Sequence, residues 1–275
     1  MSKKTKIIAI AVTAVVLLAL AAGYLYWTGA FDKFLPRKAF VLEEYHASDA
    51  VAIEPEEYVP DLILVNKQHT LSEDYEPDIV FYRDTDVPMG RAIVDAYGEL
   101  SDYIRNNMND RLFVSSTYRS YDEQQRVFDE EGSDVAALPG ESEHQTGLAV
   151  DVYVKNFAGK GFIQSKVGMY VNKSCQDYGF IIRYPEGKED ITGFEYEPWH
   201  LRYVGHPHAE IIAEYDLTLE EYLGYFAAGK WYKYGDYVIG MCSEDDIKIP
   251  AGVDQDSVKF SKDNRGNVFV WGKIA

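Results

Sequence analysis

The chain has 275 residues, 47% apolar and 26% charged, which is long enough for a good-sized hydrophobic core plus appendages. An excess of 18 negative charges argues against a nucleic-acid partner. Two cysteines far apart in sequence, Cys175 and Cys242, exclude a disulfide framework and a thiolate metal cluster and leave at most one bridge.

Lys3, Lys4 and Lys6 precede Ile7 through Trp27, a run of 21 residues broken only by Thr13 and Gly23. About 20 apolar residues cross a bilayer, and flanking basic residues stay on the cytoplasmic side. Residues 1–29 are therefore expected to be a basic tip and a single transmembrane anchor, with everything after it outside the cell. A signal peptide cleaved at Ala19-Leu20-Ala21 is the competing reading, and it too exports the remainder. Residues 30–60 are irregular and acidic, with Glu43, Glu44, Glu54, Glu56 and Glu57, and read as a tether. A folded domain is expected over 61–229, opening on Leu62-Ile63-Leu64-Val65 as an edge strand.

Ile93, Tyr97, Leu100, Ile104 and Met108 recur every three or four positions, the stripe of an amphipathic helix. Leu112 through Thr117 reads as a strand that delivers Tyr118-Arg119-Ser120. A helix should follow, with Ser120 and Glu123 as its capping box and Gly132 at its end. Val167 to Tyr178 is helical with Gly179 as the C-terminal glycine, Phe180 to Pro185 is a strand, and Thr218 and Glu221 cap a further helix that stops at Gly229. Residues 230–275 alternate tyrosines and valines with polar residues and turn at Asp263-Asn264-Arg265-Gly266-Asn267, so a small β appendage is expected there. Its aromatic residues Trp231, Tyr232 and Trp271 read as its own core, with contact to cell-wall polymer as the alternative.

The chemistry concentrates in two stretches. In Ser142-Glu143-His144-Gln145-Thr146-Gly147-Leu148-Ala149-Val150-Asp151, the alternation from Gly147 onward is that of a half-buried strand. Asp151 shares the face of two small residues, Gly147 and Ala149, which leaves room over it. In Glu197-Pro198-Trp199-His200-Leu201-Arg202-Tyr203-Val204, Pro198 marks the start of a second strand, with His200 on the same face as Arg202. A catalytic zinc takes three nitrogen or oxygen ligands and keeps a fourth position open, and a carboxylate outside that set must move protons. His144, Asp151 and His200 are the candidate ligands of one zinc ion, and Glu197 is the candidate acid/base. Arg119 reads either as a surface ion pair or as a cation aimed at the oxyanion formed when water attacks an amide. His206 and His208, on either side of Pro207, read as a surface helix start.

Ser142-x-His144-x-x-Gly147-x-Ala149-x-Asp151, Tyr118-Arg119-Ser120 with Gln124 behind it, and Glu197-Pro198-Trp199-His200 together resemble VanY-type D-alanyl-D-alanine carboxypeptidases. The likeness runs from about Leu62 to Leu223. It implies the α+β fold shared with lysostaphin-type enzymes and hedgehog domains, a central, largely antiparallel sheet flanked by helices. It also implies zinc on His144, Asp151 and His200, Glu197 as base, Arg119 at the oxyanion, and Gln124 and Ser142 holding the peptide. The implied substrate is the peptidoglycan stem peptide, from which a terminal D-Ala is hydrolysed. L,D-carboxypeptidases that act on the stem tetrapeptide share these motifs. A metal-bearing binding module is the reading from another class, which a free Glu197 and Arg119 disfavour.

Overall fold

The computed structural model describes residues 12–23, 38–132 and 136–275. They fall into two compact units, one ending at Ala39 and one running from Phe40 to Ala275. In the first, residues 12–23 form helix α1. The expected anchor, Ile7 to Trp27, lies partly outside the described residues, and no helix among the described residues is long and apolar enough to cross a membrane.

The second unit contains β1 (Glu43–Glu44), β2 (Ala50–Ala52), β3 (Ile79–Phe81), β4 (Pro88–Gly90), α2 (Arg91–Met108), β5 (Phe113–Ser116), α3 (Tyr121–Glu131) and β6 (Ala149–Tyr153). There follow α4 (Lys166–Ser174), β7 (Phe180–Ile182), α5 (Glu189–Thr192), β8 (His200–Tyr203), α6 (His208–Glu214) and α7 (Leu219–Tyr225). The chain closes with β9 (Trp231–Tyr234), β10 (Tyr237–Ser243), β11 (Lys248–Pro250), β12 (Lys259–Lys262) and β13 (Asn267–Lys273).

A four-stranded antiparallel sheet in the order β5-β6-β8-β7 carries the two chemical stretches. Along β6 the alternation sends Val150 and Val152 into a core built from Ile93, Tyr97, Leu100 and Ile104 of α2 and Val167 and Val171 of α4. Asp151 faces the other way. The capping boxes at Ser120/Glu123 and Thr218/Glu221 are both formed.

The second sheet, in the order β1-β9-β10-β13-β12, is antiparallel, and β2 pairs with β11 beside it. Part of the stretch expected to be a tether is thus woven into strands: Glu43 pairs with Lys233, and Val51 with Ile249. The C-terminal segment is also no separate appendage. Ile239, Phe269 and Trp271 on its sheet share one core with Leu62, Leu64, and the α6 and α7 residues Ile212, Leu219 and Leu223. An isolated sheet of this size leaves one apolar face in water, and α6 and α7 cover it. Trp271 and Tyr232 are buried in this core, and Trp231 packs half-buried against a neighbouring apolar cluster.

Leu62 to Val65 is buried but is not a strand. Arg202 Nη2 donates to Asp61 O at 3.0 Å and to Ile63 O at 2.8 Å, so a buried guanidinium satisfies these carbonyls where a neighbouring strand was expected to.

Candidate metal centre

Glu143–Thr146 is a single 3-10 turn that ends at Gly147, whose φ of 73° is the left-handed conformation glycine adopts freely. Gly147 is pressed against Gly90: the Gly90 N–H donates to Gly147 O at 3.0 Å, and a Cβ on Gly90 would sit 2.6 Å from that oxygen. This junction fixes where His144 stands relative to β6. His144 Nδ1 lies 2.8 Å from Thr117 O, which places the ring proton on Nδ1 and leaves the Nε2 lone pair free.

Asp151 on β6 is directly opposite His200 on β8 and Ser116 on β5. His144 Nε2 is 3.3 Å from Asp151 Oδ2, and His200 Nδ1 is 2.9 Å from Asp151 Oδ1. The two imidazoles stand 5.1 Å apart at 80°. All three donor atoms lie within 4.8 Å of one another, with both histidines buried and Asp151 half-buried. Tetrahedral zinc with bonds of about 2.0–2.2 Å sets its ligand atoms about 3.3 Å apart, so this spacing fits such an ion. The alignment fits as well. Among the described residues Asp151 Oδ1 has no hydrogen-bond partner in line with it, although His200 Nδ1 is 2.9 Å away, which leaves a buried oxygen open to a cation.

The electrostatics agree. Burial works against a charged Asp151, but His144 and His200 outweigh it and hold the carboxyl well below its usual range. Burial also opposes a charged His200, yet Asp151, Glu143 and Glu197 together raise it to about 10. Glu143 is already answered by Arg183 and Arg202, so Asp151 and Glu197 are the carboxylates whose charge is left facing the two imidazoles, a surplus suited to a divalent cation.

Glu197 lies in the turn before β8 with Oε2 3.7 Å from His200 Nδ1, the nitrogen that faces the other donors. Burial raises its pKa, and the neighbouring Asp151 charge adds to that, against the pull of His200. Asn172 on α4 engages both neighbours of Glu197: Nδ2 donates to the backbone Pro198 O at 2.8 Å, and Oδ1 accepts from the side-chain Tyr196 Oη at 3.1 Å.

Arg119 follows β5, and its guanidinium donates to Ser116 Oγ through Nε at 3.0 Å and Nη2 at 2.5 Å, and to Gln124 Oε1 through Nη1 at 3.0 Å. Both partners are neutral. Arg119 also lines an open cavity of about 350 Å3 with Tyr118, Glu123 and Arg126. Gln124 is buried with both ends of its amide engaged, since Nε2 donates to Ala137 O at 2.8 Å. Within the chain it braces Arg119. Ser142 is buried at the start of the 3-10 turn, two residues before His144.

The family described as VanY, D-alanyl-D-alanine carboxypeptidase, matches residues 88–206. VanXYC of Enterococcus gallinarum, named a bifunctional D-Ala-D-Ala dipeptidase and carboxypeptidase, is 37% identical over 183 residues, which cover 60% of this chain and 95% of that one. The YodJ protein of Bacillus subtilis (strain 168) is 39% identical over 206 residues, 66% of this chain and 76% of that one. The chain belongs to the VanY family.

It is therefore an enzyme, a peptidase of a zinc metallopeptidase family. Among solved structures, the LdcB LD-carboxypeptidase is 40% identical with a TM-score of 0.54, over 58% of this chain and 84% of that one. The VanXYg D,D-dipeptidase with a D-Ala-D-Ala phosphinate analogue is 30% identical with a TM-score of 0.66, over 82% of this chain and 98% of that one. A VanY mutant from the VanB-type cassette in complex with Zn(II) is 33% identical with a TM-score of 0.53, over 59% of this chain and 98% of that one.

In this VanY-family site the sequence reading passed over Glu143, which is completely buried. Its Oε1 accepts from Arg183 Nε and from Arg202 Nη1, each at 2.7 Å, and both arginines are fully buried. Arg183 also forks onto Glu220 of α7 at 2.6 and 3.0 Å. The available signal was an arginine inside each of two apolar strand runs, Phe180 to Tyr184 and His200 to Val204. A charge there has to meet an opposite one inside the protein.

Proposed function

We propose that the protein is a zinc-dependent D,D-carboxypeptidase that removes the terminal D-Ala from peptidoglycan stem peptides ending in D-Ala-D-Ala and so trims cell-wall precursors. The observation that carries this reading is the convergence of His144 Nε2, Asp151 and His200 Nδ1, with Glu197 beside the same nitrogen. The names of VanXYC and VanXYg support the choice of D-Ala-D-Ala. The basic-then-apolar order of residues 3–27 supports a single N-terminal membrane anchor with the catalytic domain outside the cell.

In this reading His144, Asp151 and His200 hold one zinc ion, which when bound supplies Lewis acidity and lowers the pKa of water. Glu197, whose raised pKa suits it to both halves of a proton transfer, takes the proton of the attacking water and passes it to the departing amine of D-Ala. Arg119, braced by Ser116 and Gln124, faces the charge that develops on the amide oxygen.

A second reading is favoured by the 40% identity to the LdcB LD-carboxypeptidase. There the substrate is the tetrapeptide and the bond cut follows an L-centre. The purified full chain with zinc is expected to release D-Ala from a synthetic stem pentapeptide. Cleavage of the tetrapeptide alone would establish the L,D reading, and cleavage of neither would remove both.

A further inference from the structure

We propose that Glu143 is a positioning residue for His200: its carboxylate accepts the Nε2 proton of that ring, so that Nδ1 is the nitrogen presented to the metal. This rests on the metal reading above.

The two nitrogens of His200 face opposite carboxylates. Nδ1 is 2.9 Å from Asp151 and 3.7 Å from Glu197, while Nε2 is 3.7 Å from Glu143 Oε2. Both Nε2 and Oε2 are buried and have no hydrogen-bond partner among the described residues. One is a donor when protonated and the other an acceptor, and the two face each other across that gap. A neutral imidazole carries one proton, so a ring that gives its Nδ1 lone pair to an ion must keep the proton on Nε2, where Glu143 stands to receive it.

The surroundings aim the carboxylate. Oε1 is pinned by two guanidiniums, from Arg202 two positions beyond His200 on β8 and from Arg183 just past β7. The Arg183 backbone N–H also donates to His200 O at 3.2 Å, which ties that strand end to the ring it serves. With Oε1 held in this way, Oε2 points at His200. Two consecutive residues thus serve the two imidazoles: His144 offers a donor atom itself, and Glu143 orients the other ring from behind. Thr117 O does for His144 what Glu143 does for His200.

The test has two parts. In the zinc-loaded full chain labelled with 15N-histidine, His200 is expected to show a proton on Nε2 and none on Nδ1; the reverse tautomer overturns the proposal even if zinc is bound. In chelator competition, Glu143→Gln is expected to weaken zinc binding by about 10- to 100-fold, as loss of a ligand-orienting partner does. Glu220→Gln disturbs the same arginine without touching His200 and is expected to leave zinc affinity within about 3-fold of wild type. Equal weakening by both variants, or none by Glu143→Gln, reduces Glu143 to a structural ion pair. If Glu143→Gln does not fold, the tautomer decides alone. Wild-type protein that binds no zinc sinks the metal reading instead, so the two failures are distinct.

Discussion

The Gln124 amide oxygen accepts from Arg119 Nη1 at 3.0 Å, and its nitrogen is anchored to Ala137 O at 2.8 Å, so the guanidinium is held on one side by a buried, immobile partner. A cation that stabilises an oxyanion works through its position. Gln124→Leu is therefore expected to lower kcat on the order of 10-fold and to change KM by less than about 3-fold, while Arg119→Ala lowers kcat by about 100-fold or more. A Gln124 that touched the peptide would raise KM instead, and steady-state kinetics separate the two.

Glu197→Gln keeps the size of the side chain and removes its basicity. The variant is expected to bind zinc as wild type does and to lose at least about 100-fold in turnover. Metal content by elemental analysis and D-Ala release measured on the same sample check both halves; full turnover would take Glu197 out of the mechanism. Asn172→Leu frees the backbone beside Glu197 and is expected to lower kcat while leaving zinc content unchanged.

Local patterns carried much of the site. The alternation through β6 and the Pro198 boundary before β8 are short-range signals, and the structure sets Asp151 opposite His200. What the sequence hid depends on distant partners. Glu143 looks like an ordinary loop acid until Arg183 and Arg202 arrive from strands 40 and 59 residues away. The acidic composition of residues 43–57 reads as solvated chain because nothing local shows that Glu43 and Glu44 pair with Lys233 and Tyr232. His208 was expected at the surface beside Pro207. It is fully buried against Tyr222 and Trp271, neither of which is near it in sequence.

Arg202 satisfies Glu143 and the carbonyls of Asp61 and Ile63 with one guanidinium. Arg202→Met fills similar volume but leaves Glu143 with a single cation and strips two buried carbonyls of their donor. The expected loss is about 3–5 kcal/mol of stability, read from the urea midpoint. A loss below about 1 kcal/mol would mean that the buried ions contribute little beyond packing.

His208 gives the fold an acid sensitivity of definite sign. Its ring is completely buried, Nδ1 lies 2.6 Å from Tyr222 Oη, and burial pushes its pKa down from 6.5 to about 3, with Lys259 and His206 adding to the shift. Between these values the unfolded chain takes up a proton that the folded chain refuses. The stabilisation is complete above pH 6.5 and declines by about 1.4 kcal/mol per pH unit as the pH falls towards 3. Asp61 opposes it, because burial raises that carboxyl from 3.8 to about 6, so the folded chain binds the extra proton over an overlapping range. The net curve of the wild type is therefore flatter than His208 alone would make it, and a comparison is required. His208→Gln is expected to be less stable than wild type at pH 7 and to close that gap steadily as the pH is lowered from 6.5 to 4.5, measured by urea unfolding at each pH. A gap that stays constant over that interval would show that the imidazole is not kept neutral by its burial.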